Sequence, residues 1–324
     1  MQIPPKYNLN PELIDLIARI EANRIFLNQS NLKNEIVSKI ERVSLLKSSL
    51  FSARIEGNPI DLDNFTRTSD KLKKKEITNI LKTITFIKSK PQEVTRQLIQ
   101  KIHLLVMENL SPQAGKFRHE VSAIFNTAGI AVYMPPPPKM LDELISKLMF
   151  FIKNTPEKYH LVTAFMAHLL FEKIHPFLDG NGRVGRLLIF AVLQNKGWSF
   201  PVFVPIEEYI DEHKDEYYYH LDIGLTEPES FLEFCLRAFY ETSENIRKQI
   251  SNELNSQSQI LLPPRQDEIL KIIKDHNMVS MDFIKRRFLK IPSRTLRYDL
   301  EKLTKLKLIV KIGKTKGSFY KSKY

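Results

Sequence analysis

The sequence contains little cysteine and glycine and no long apolar run. Its 324 residues include one cysteine, Cys235, and 10 glycines. A single cysteine excludes disulfides within the chain, and its helical surroundings predict a buried thiol rather than a nucleophile. The longest apolar run, residues 187–193, is far shorter than the roughly 20 residues that cross a bilayer. With no secretory signal after Met1, these absences predict a cytoplasmic protein without a membrane partner.

Negative charge is scarce near the C-terminus. The formal net charge of the chain is +12. Residues 265–324 hold 17 basic and 6 acidic side chains, a balance of +11, which leaves +1 for the first 264 residues. Such a basic segment favours a polyanionic partner.

Residues 175–186 form the densest functional motif, His-Pro-Phe-Leu-Asp-Gly-Asn-Gly-Arg-Val-Gly-Arg. His175 can accept a proton near neutral pH, and Asp179 offers the carboxylate oxygen that Mg²⁺ prefers beside phosphates. The motif also holds glycines that let N–H groups approach an anion and arginines with planar, charged forks. These residues are Gly180, Gly182, Arg183 and Arg186. The combination indicates phosphate chemistry, since a plain helix end has no use for it.

Two better-known phosphate motifs do not fit this segment. Gly180, Gly182 and Gly185 spell Gly-x-Gly-x-x-Gly, but residues 161–174 before them have the periodicity of a helix, where that motif requires a strand. The pattern Gly-x-x-x-x-Gly-Lys-Ser/Thr occurs nowhere in the chain. The sequence instead predicts a helix, a glycine turn and the N-terminus of a second helix, which would direct N–H donors and partial positive charge at one point.

The motif resembles the signature of the Fic family, His-Pro-Phe-x-Asp-Gly-Asn-Gly-Arg-x-x-Arg, at every specified position. The resemblance implies a mainly α fold, a Fic-type helical bundle that transfers AMP from ATP to a Ser, Thr or Tyr hydroxyl of a target protein. It implies His175 as the catalytic base and Asp179 as the ligand of Mg²⁺. The nucleotide-binding residues that it implies are Gly180, Asn181, Gly182, Arg183 and Arg186.

A second motif lies upstream of the predicted core. Ser52, Glu56 and Gly57 fit the Ser-x-x-x-Glu-Gly pattern of Fic proteins that carry an N-terminal inhibitory helix, and Gly-Asn-Pro at residues 57–59 predicts a helix stop. The resemblance implies that Glu56 reaches Arg186 and holds it away from the γ-phosphate of ATP. The alternative is that Glu56 is a surface acid near a helix end.

Residues 115–138 differ in composition from the helical segments around them. β-favouring residues flank a turn at 126–129, and four prolines end the segment at 135–138. This pattern predicts a β-hairpin. In Fic proteins a hairpin at this place, the flap, lies over the site and pairs with an extended stretch of the target. A plain turn connector is the alternative.

The role of three consecutive tyrosines stays open. Residues 217–219 are three tyrosines, for which both core packing and contact with a nucleotide are compatible with the sequence. His103 lies beside an apolar helix face, so we expect it to pack in the core rather than to bind a ligand.

The basic C-terminal segment resembles a winged helix-turn-helix domain. Three predicted helices precede a hairpin around residues 313–317, and Ser293 is the expected N-cap of the third helix. The apolar face of that helix is expected to hold Leu296, Leu300, Leu303 and Leu306. The residues expected on its exposed face, where they suit contacts with DNA phosphates and bases, are Ser293, Arg294, Thr295, Arg297 and Tyr298. The alternative is a domain that docks onto protein.

These patterns predict four parts. They are an N-terminal helical region with the inhibitory helix at 1–65, a Fic catalytic core at 66–250, a linker at 251–264 and a winged helix-like domain at 265–324.

The predicted function is a protein adenylyltransferase that Glu56 inhibits. The alternatives are a Fic enzyme that uses another donor and moves UMP, phosphocholine or phosphate, one that removes AMP, and a DNA-binding regulator whose Fic core senses nucleotide. The intact His175 argues against a sensor, because a sensor needs no base. A toxin of a toxin–antitoxin pair is disfavoured because the inhibitory motif lies in the same chain. The sequence is compatible with an oligomer.

Overall fold

The computed structural model describes residues 1–30, 34–89, 91–125, 131–257, 262–276, 278–313 and 318–322. The described chain is mainly helical, which confirms the predicted fold class. It divides into two compact units, Met1–Glu253 and Leu254–Tyr324. The domain limits at 65, 250 and 264 stay predictions. Among the described residues, no helix combines the length and apolar character needed to cross a membrane.

The first unit consists of helices and one short pair of strands. Its helices are α1 (Pro11–Gln29), α2 (Asn34–Ile55), α3 (Lys71–Ser89), α4 (Arg96–Val106), α5 (Leu141–Asn154), α6 (His160–Ile174), α7 (Asn181–Asn195), α8 (Glu207–Glu212), α9 (Lys214–Ile223) and α10 (Pro228–Gln257). A 3₁₀ turn at Pro138–Met140 precedes α5. Helix α10 continues past residue 251, where the sequence predicted a linker.

Local sequence explains where several of these helices begin and end. Asn10 caps α1 by accepting a hydrogen bond from Leu13 N at 2.9 Å, and Thr95 caps α4 in the same way. The predicted stop after α2 is confirmed, because α2 ends at Ile55 and Gly57 has φ +95°.

Helix α6 lies at the centre of the first unit. Every side chain from Leu161 to Ile174 is buried, so the helix is enclosed on all sides, and most of these side chains are apolar. Its main partner is α7. Side chains of α6 pack directly on the α7 backbone at Gly185, where an added Cβ would collide with the Glu172 carboxylate and lie 2.8 Å from Nδ1 of His168. This close packing holds the turn between α6 and α7 in a fixed place.

The predicted hairpin begins and ends in strands that the structure describes. Strand β1 (Ile124–Phe125) pairs antiparallel with β2 (Ala131–Tyr133). The turn predicted at 126–129 lies outside the described residues.

The second unit combines three helices with a three-stranded sheet. The elements are α11 (Pro264–Asp275), β3 (Met278–Ser280), α12 (Met281–Arg287), α13 (Ser293–Lys305), β4 (Ile309–Ile312) and β5 (Phe319–Ser322). The antiparallel sheet has the order β3-β5-β4. Strand β3 was not expected from the sequence. Most of the predicted hairpin turn at 313–317 lies outside the described residues.

Two expectations for α13 are wrong. Pro292, not Ser293, occupies the N-cap position, and no side-chain cap bond forms there, because the helix already includes Ser293. Leu306 lies just past the helix end and is exposed, whereas Leu296, Leu300 and Leu303 are fully buried. The helix ends at Lys305, one residue before the last predicted leucine.

Candidate active site

The motif at 175–186 forms the turn between α6 and α7. His175 follows α6 in a left-handed conformation with φ 51°, and Gly180 precedes α7 with φ 81°. A Cβ on Gly180 would be strained and would lie 2.9 Å from Sδ of Met107. The sequence therefore folds into a tight turn that separates a histidine from a helix N-terminus by only five residues.

His175 is held in a form that can accept a proton. Its Nδ1 lies 3.3 Å from the carbonyl oxygen of Glu172. Because a carbonyl oxygen only accepts hydrogen bonds, this contact favours the proton on Nδ1 and leaves Nε2 as the acceptor. Burial lowers the pKa of His175 to about 4. The imidazole is therefore neutral at pH 7.

Arg118 ties the catalytic turn to both ends of the hairpin segment. This guanidinium is only 3 % exposed. It donates to the carbonyl oxygens of His175 at 2.8 Å, Glu120 at 3.0 Å and Pro136 at 2.6 Å. The Arg118 amide also donates to the carbonyl of Pro176 at 2.9 Å. One buried cation thus fixes the turn and the base of the hairpin together.

Asn181 and His103 shape the inside of the turn. The Asn181 side chain accepts from Phe177 N and donates to Phe177 O, both at 2.9 Å. His103 Nε2 contacts the carbonyl oxygen of Asp179 at 3.0 Å, and its Nδ1 accepts from Gly115 N at 2.8 Å. The His103 ring stacks on Phe177 at 3.7 Å, and burial lowers its pKa to about 4. His103 is a packing residue, as expected. The side-chain amide of Asn181 is hydrogen-bonded within the turn, to Phe177.

Arg183 is buried between two carboxylates. Its Nη1 donates to Glu76 of α3, and its Nη2 donates to Oδ1 of Asp179 at 2.8 Å. The other Glu76 oxygen accepts from Nδ2 of Asn58 at 2.8 Å. Asn58 lies two residues after Glu56, so a chain of hydrogen bonds connects Arg183 to the segment that ends α2.

Arg186 contacts both residues of the predicted inhibitory motif. Its Nε donates to Oγ of Ser52 at 3.0 Å, and its Nη2 donates to the Ser52 carbonyl at 2.8 Å and to Oε1 of Glu56 at 2.9 Å. Arg186 is 2 % exposed. A Cβ added to Gly182 would collide with the Glu56 carboxylate. The carboxylate therefore lies directly against the first turn of α7, where a helix attracts anions.

The tyrosines at 217–219 have different environments. Tyr217 is buried with its hydroxyl 2.9 Å from Nε2 of His168, so it belongs to the core. Burial raises the pKa of Tyr218 to about 12, and the charges of Glu56 and Arg186 also act on it. Tyr219 is exposed. The charge of Arg186 acts on both Tyr217 and Tyr218, so the charges do not single out one of these two rings.

Asp179 fits the part of a single protein ligand to a metal ion. Its side chain is 66 % exposed. Its Oδ1 accepts from Gly180 N at 2.6 Å as well as from Arg183. Among the described residues, no group of three or more His, Cys, Asp or Glu side chains could hold a metal. This donor set suits Mg²⁺, which often binds one or two carboxylates together with substrate phosphates.

The predicted DNA-facing residues of α13 lie at the surface of the second unit. Arg294, Arg297 and Tyr298 are exposed, and Nζ of Lys302 lies 5.0 Å from the centre of the Tyr298 ring. Ser293 and Thr295 are half-buried. The buried Asp299 behind them accepts from Arg265 at 2.6 Å, which joins α13 to α11.

The structure thus brings together the predicted residues of the first unit. His175, Asp179 and the α7 turn are continuous in sequence, while Ser52 and Glu56 reach Arg186 from α2. The sequence did not predict the roles of Glu76, Asn58 and Arg118. The local signals for them were weak, since each is a single polar residue near an apolar helix or a strand.

Part of this chain is similar in sequence to known proteins. Residues 93–193 match the family described as Fic/DOC. A relative from Aquifex aeolicus, named a probable protein adenylyltransferase, is 28 % identical over 172 residues, which are 51 % of this chain and 52 % of the relative. The protein adenylyltransferase Fic of Drosophila willistoni is 25 % identical over 223 residues, 64 % of this chain and 42 % of its own. The chain therefore spans about half the length of these curated relatives.

Solved structures show the same fold. A Fic family protein from Desulfovibrio desulfuricans superimposes with a TM-score of 0.66 at 22 % identity, over 98 % of both chains. Fic-1 of C. elegans superimposes with a TM-score of 0.61 at 20 % identity, over 76 % of this chain and 73 % of that one.

Proposed function

Since this chain is a Fic family protein, we propose that it is a protein adenylyltransferase, which transfers AMP from ATP to a hydroxyl side chain of another protein. The observation that carries the proposal is the turn at 175–186. It combines a neutral histidine, a helix N-terminus and two buried arginines. The single buried thiol at Cys235 supports a reducing location such as the cytoplasm.

His175 acts as the general base. Its Nε2 takes the proton from the Ser, Thr or Tyr hydroxyl of the target, and the oxygen attacks the α-phosphorus of ATP. The bond to pyrophosphate breaks, and AMP stays on the hydroxyl oxygen. The lowered pKa keeps Nε2 free of a proton at pH 7.

The first turn of α7 receives the phosphates. The first helical bond of α7 runs from Val184 N to Gly180 O at 3.1 Å. The amides of Asn181, Gly182 and Arg183 precede it and are free of the helix ladder, so they can donate to charge that develops at the α-phosphate. Asp179 would hold Mg²⁺, which when bound neutralises phosphate charge.

The two arginines hold the outer phosphates. Arg183 has one fork nitrogen on Glu76, which fixes the plane of the guanidinium. Nη1 of Arg186 is buried and has no hydrogen-bond partner among the described residues. It is the donor that a γ-phosphate oxygen would satisfy.

Glu56 acts as an inhibitor of this site. Its carboxylate pairs with Arg186 and lies against Gly182, so it occupies the position of an anion at the helix N-terminus. A nucleotide whose γ-phosphate needs the same place must compete with it. The same carboxylate could orient water for removal of AMP, which is the alternative activity that the geometry supports.

The hairpin offers the target a strand to pair with. An extended segment added beside β1 or β2 would gain main-chain hydrogen bonds and bring its hydroxyl over the turn. The described length of the strands requires only a short segment. A Ser, Thr or Tyr could be presented in this way.

The second unit supports a further binding function. The exposed arginines of α13 and the balance of +11 in residues 265–324 favour DNA as a partner. This binding would be separate from transfer, and a protein-docking surface is the alternative.

Incubation of the full chain with ATP and Mg²⁺, followed by intact-mass analysis, tests the proposed reaction. We expect weak addition of one AMP to the wild-type chain and strong addition to Glu56→Gly. Parallel incubations with GTP, CTP and UTP identify the donor. A Glu56→Gly chain that binds ATP but gains no mass with any donor would contradict the proposal.

A further inference from the structure

Lys173 is a buried amine beside the catalytic turn. It lies in the last turn of α6, two residues before His175, and is only 5 % exposed. Its Nζ donates to the carbonyl oxygen of Asp222 at 2.9 Å and lies 3.5 Å from the Asp222 carboxylate. The same Nζ lies 4.4 Å from the centre of the Tyr133 ring, a cation–π contact. The ammonium therefore lies between strand β2 and helix α9.

Tyr133 contacts Lys173 a second time. Its hydroxyl donates to the carbonyl oxygen of Lys173 at 2.7 Å. Burial raises the pKa of Tyr133, so the phenol stays protonated as this bond requires. Ring and hydroxyl together attach the end of β2 to the last turn of α6. Arg118 holds the base of the same hairpin through Glu120 and Pro136.

Stability alone does not explain an amine at this position. Moving an ammonium out of water is costly, and here burial lowers the pKa of Lys173. A methionine would fill similar space without that cost, and replacing buried charges by apolar side chains is often neutral or stabilising. What only the lysine supplies is a directional bond to α9 together with the contact to the Tyr133 ring.

We propose that Lys173 is a positioning residue that fixes hairpin strand β2 against α6 and α9, so that an acceptor segment paired with the hairpin meets His175. The role of Lys173 in positioning the strand does not depend on the proposed function. Its consequence for transfer rests on the proposed function.

Hydrogen exchange of the full chain tests the positioning without any reaction. In Lys173→Met, amides of residues 119–125 and 131–134 should exchange about tenfold faster, because a cation–π contact and a charge-assisted bond are lost. In Tyr133→Phe, which keeps the ring, exchange should rise about threefold. Lys153→Met is the matched control, because Lys153 is exposed and pairs only with Glu93. The midpoint of thermal unfolding should stay unchanged or rise in Lys173→Met.

Unchanged exchange of the hairpin in both variants would overturn the proposal. So would faster exchange spread evenly over α6 and α7, since that result would show general destabilisation. The Tyr133→Phe variant keeps the test decisive if Lys173→Met does not fold.

Kinetics in the Glu56→Gly background test the consequence. Adding Lys173→Met should lower kcat for self-labelling about tenfold and leave KM for ATP within about twofold, because the acceptor and not the nucleotide loses its place. A rise in KM for ATP with unchanged kcat would overturn the role in acceptor positioning. If the Glu56→Gly parent does not label at all, the proposed function fails, while the exchange result still decides the role of Lys173 in the hairpin.

Discussion

The arginines of the first unit and those of α13 carry the same charge in opposite surroundings. Arg118, Arg183 and Arg186 are at most 6 % exposed, and each donates to acceptors at fixed places. Arg294 and Arg297 are exposed. A buried cation with fixed partners has little freedom to reorganise when a substrate arrives, which suits chemistry. An exposed cation offers mobile charge, which suits reversible, salt-dependent contact with a polyanion.

The largest expected effect is that of a substitution in the buried turn. His175→Ala should lower the rate of AMP transfer by about 10²- to 10⁴-fold, because the general base is lost. Affinity for ATP should be nearly unchanged, since the imidazole touches the acceptor and not the phosphates. Transfer from α-³²P-ATP and equilibrium binding measure the two quantities. His160→Ala at the start of α6 is the control. If His175→Ala is labelled as strongly as the chain that keeps His175, then His175 is not the general base.

The next effect concerns the inhibitory contact. Glu56→Gly should raise self-labelling at least about tenfold, because one charge-assisted bond to Arg186 contributes at least 1.4 kcal/mol, or about tenfold. Glu35→Gly removes an exposed acid from α2, the helix that Glu56 follows, and should change nothing. Labelling by Glu56→Gly no stronger than wild type would show that Glu56 is not an inhibitor.

A smaller effect is expected at the residue that orients Arg183. Glu76→Gln keeps an acceptor but removes the charge, so KM for ATP in the Glu56→Gly background should rise about tenfold with kcat little changed. Glu108→Gln is a matched control, because Glu108 is half exposed and pairs with Lys75 at 3.6 Å. An unchanged KM in Glu76→Gln would mean that the buried pair with Arg183 is only structural.

The exposed face of α13 should show weaker, salt-dependent effects. Arg294→Ala and Arg297→Ala should each weaken binding of the full chain to duplex DNA severalfold and reduce the slope of log K against log salt by about one. Lys271→Ala, an exposed lysine of α11 paired with Asp267, is the control. DNA binding that is absent even at low salt would remove nucleic acid as the partner of this unit.

The smallest expected effect is that of mild acid on catalysis. His175 must be unprotonated to accept a proton, and its pKa is lowered to about 4. Transfer by Glu56→Gly should therefore stay nearly constant between pH 8 and about 5.5 and fall only at lower pH, at or below about 4, because the Glu56 charge that raises the pKa of His175 is gone. An inflection near pH 6.5, the ordinary value for histidine, would show that burial does not perturb this group.

Local motifs allowed much of the site to be predicted. The spacing within 175–186 identified the turn and the start of α7, and the separate Ser52–Glu56 motif led to the expectation of a contact with Arg186, which the structure contains. Each motif is compact in itself, so each could be recognised, although Glu56 and Arg186 lie 130 residues apart.

The unpredicted residues act across large separations in sequence. Glu76 lies 107 residues before Arg183, and Arg118 lies 57 residues before His175. Their roles depend on how α3 and the hairpin pack against the turn, which periodicity does not reveal. Leu306 shows a similar limit on a smaller scale, because periodicity did not reveal that α13 ends one residue earlier, at Lys305, and leaves Leu306 exposed.

A crystal structure of Glu56→Gly with ATP and Mg²⁺ tests the central claim most directly. We expect the backbone amides of Asn181, Gly182 and Arg183 to donate to the phosphates, and Arg186 to donate to a γ-phosphate oxygen. We expect Nε2 of His175 on the side of the α-phosphorus that faces away from pyrophosphate. A nucleotide bound elsewhere, or a turn that stays empty at saturating ATP, would contradict the account.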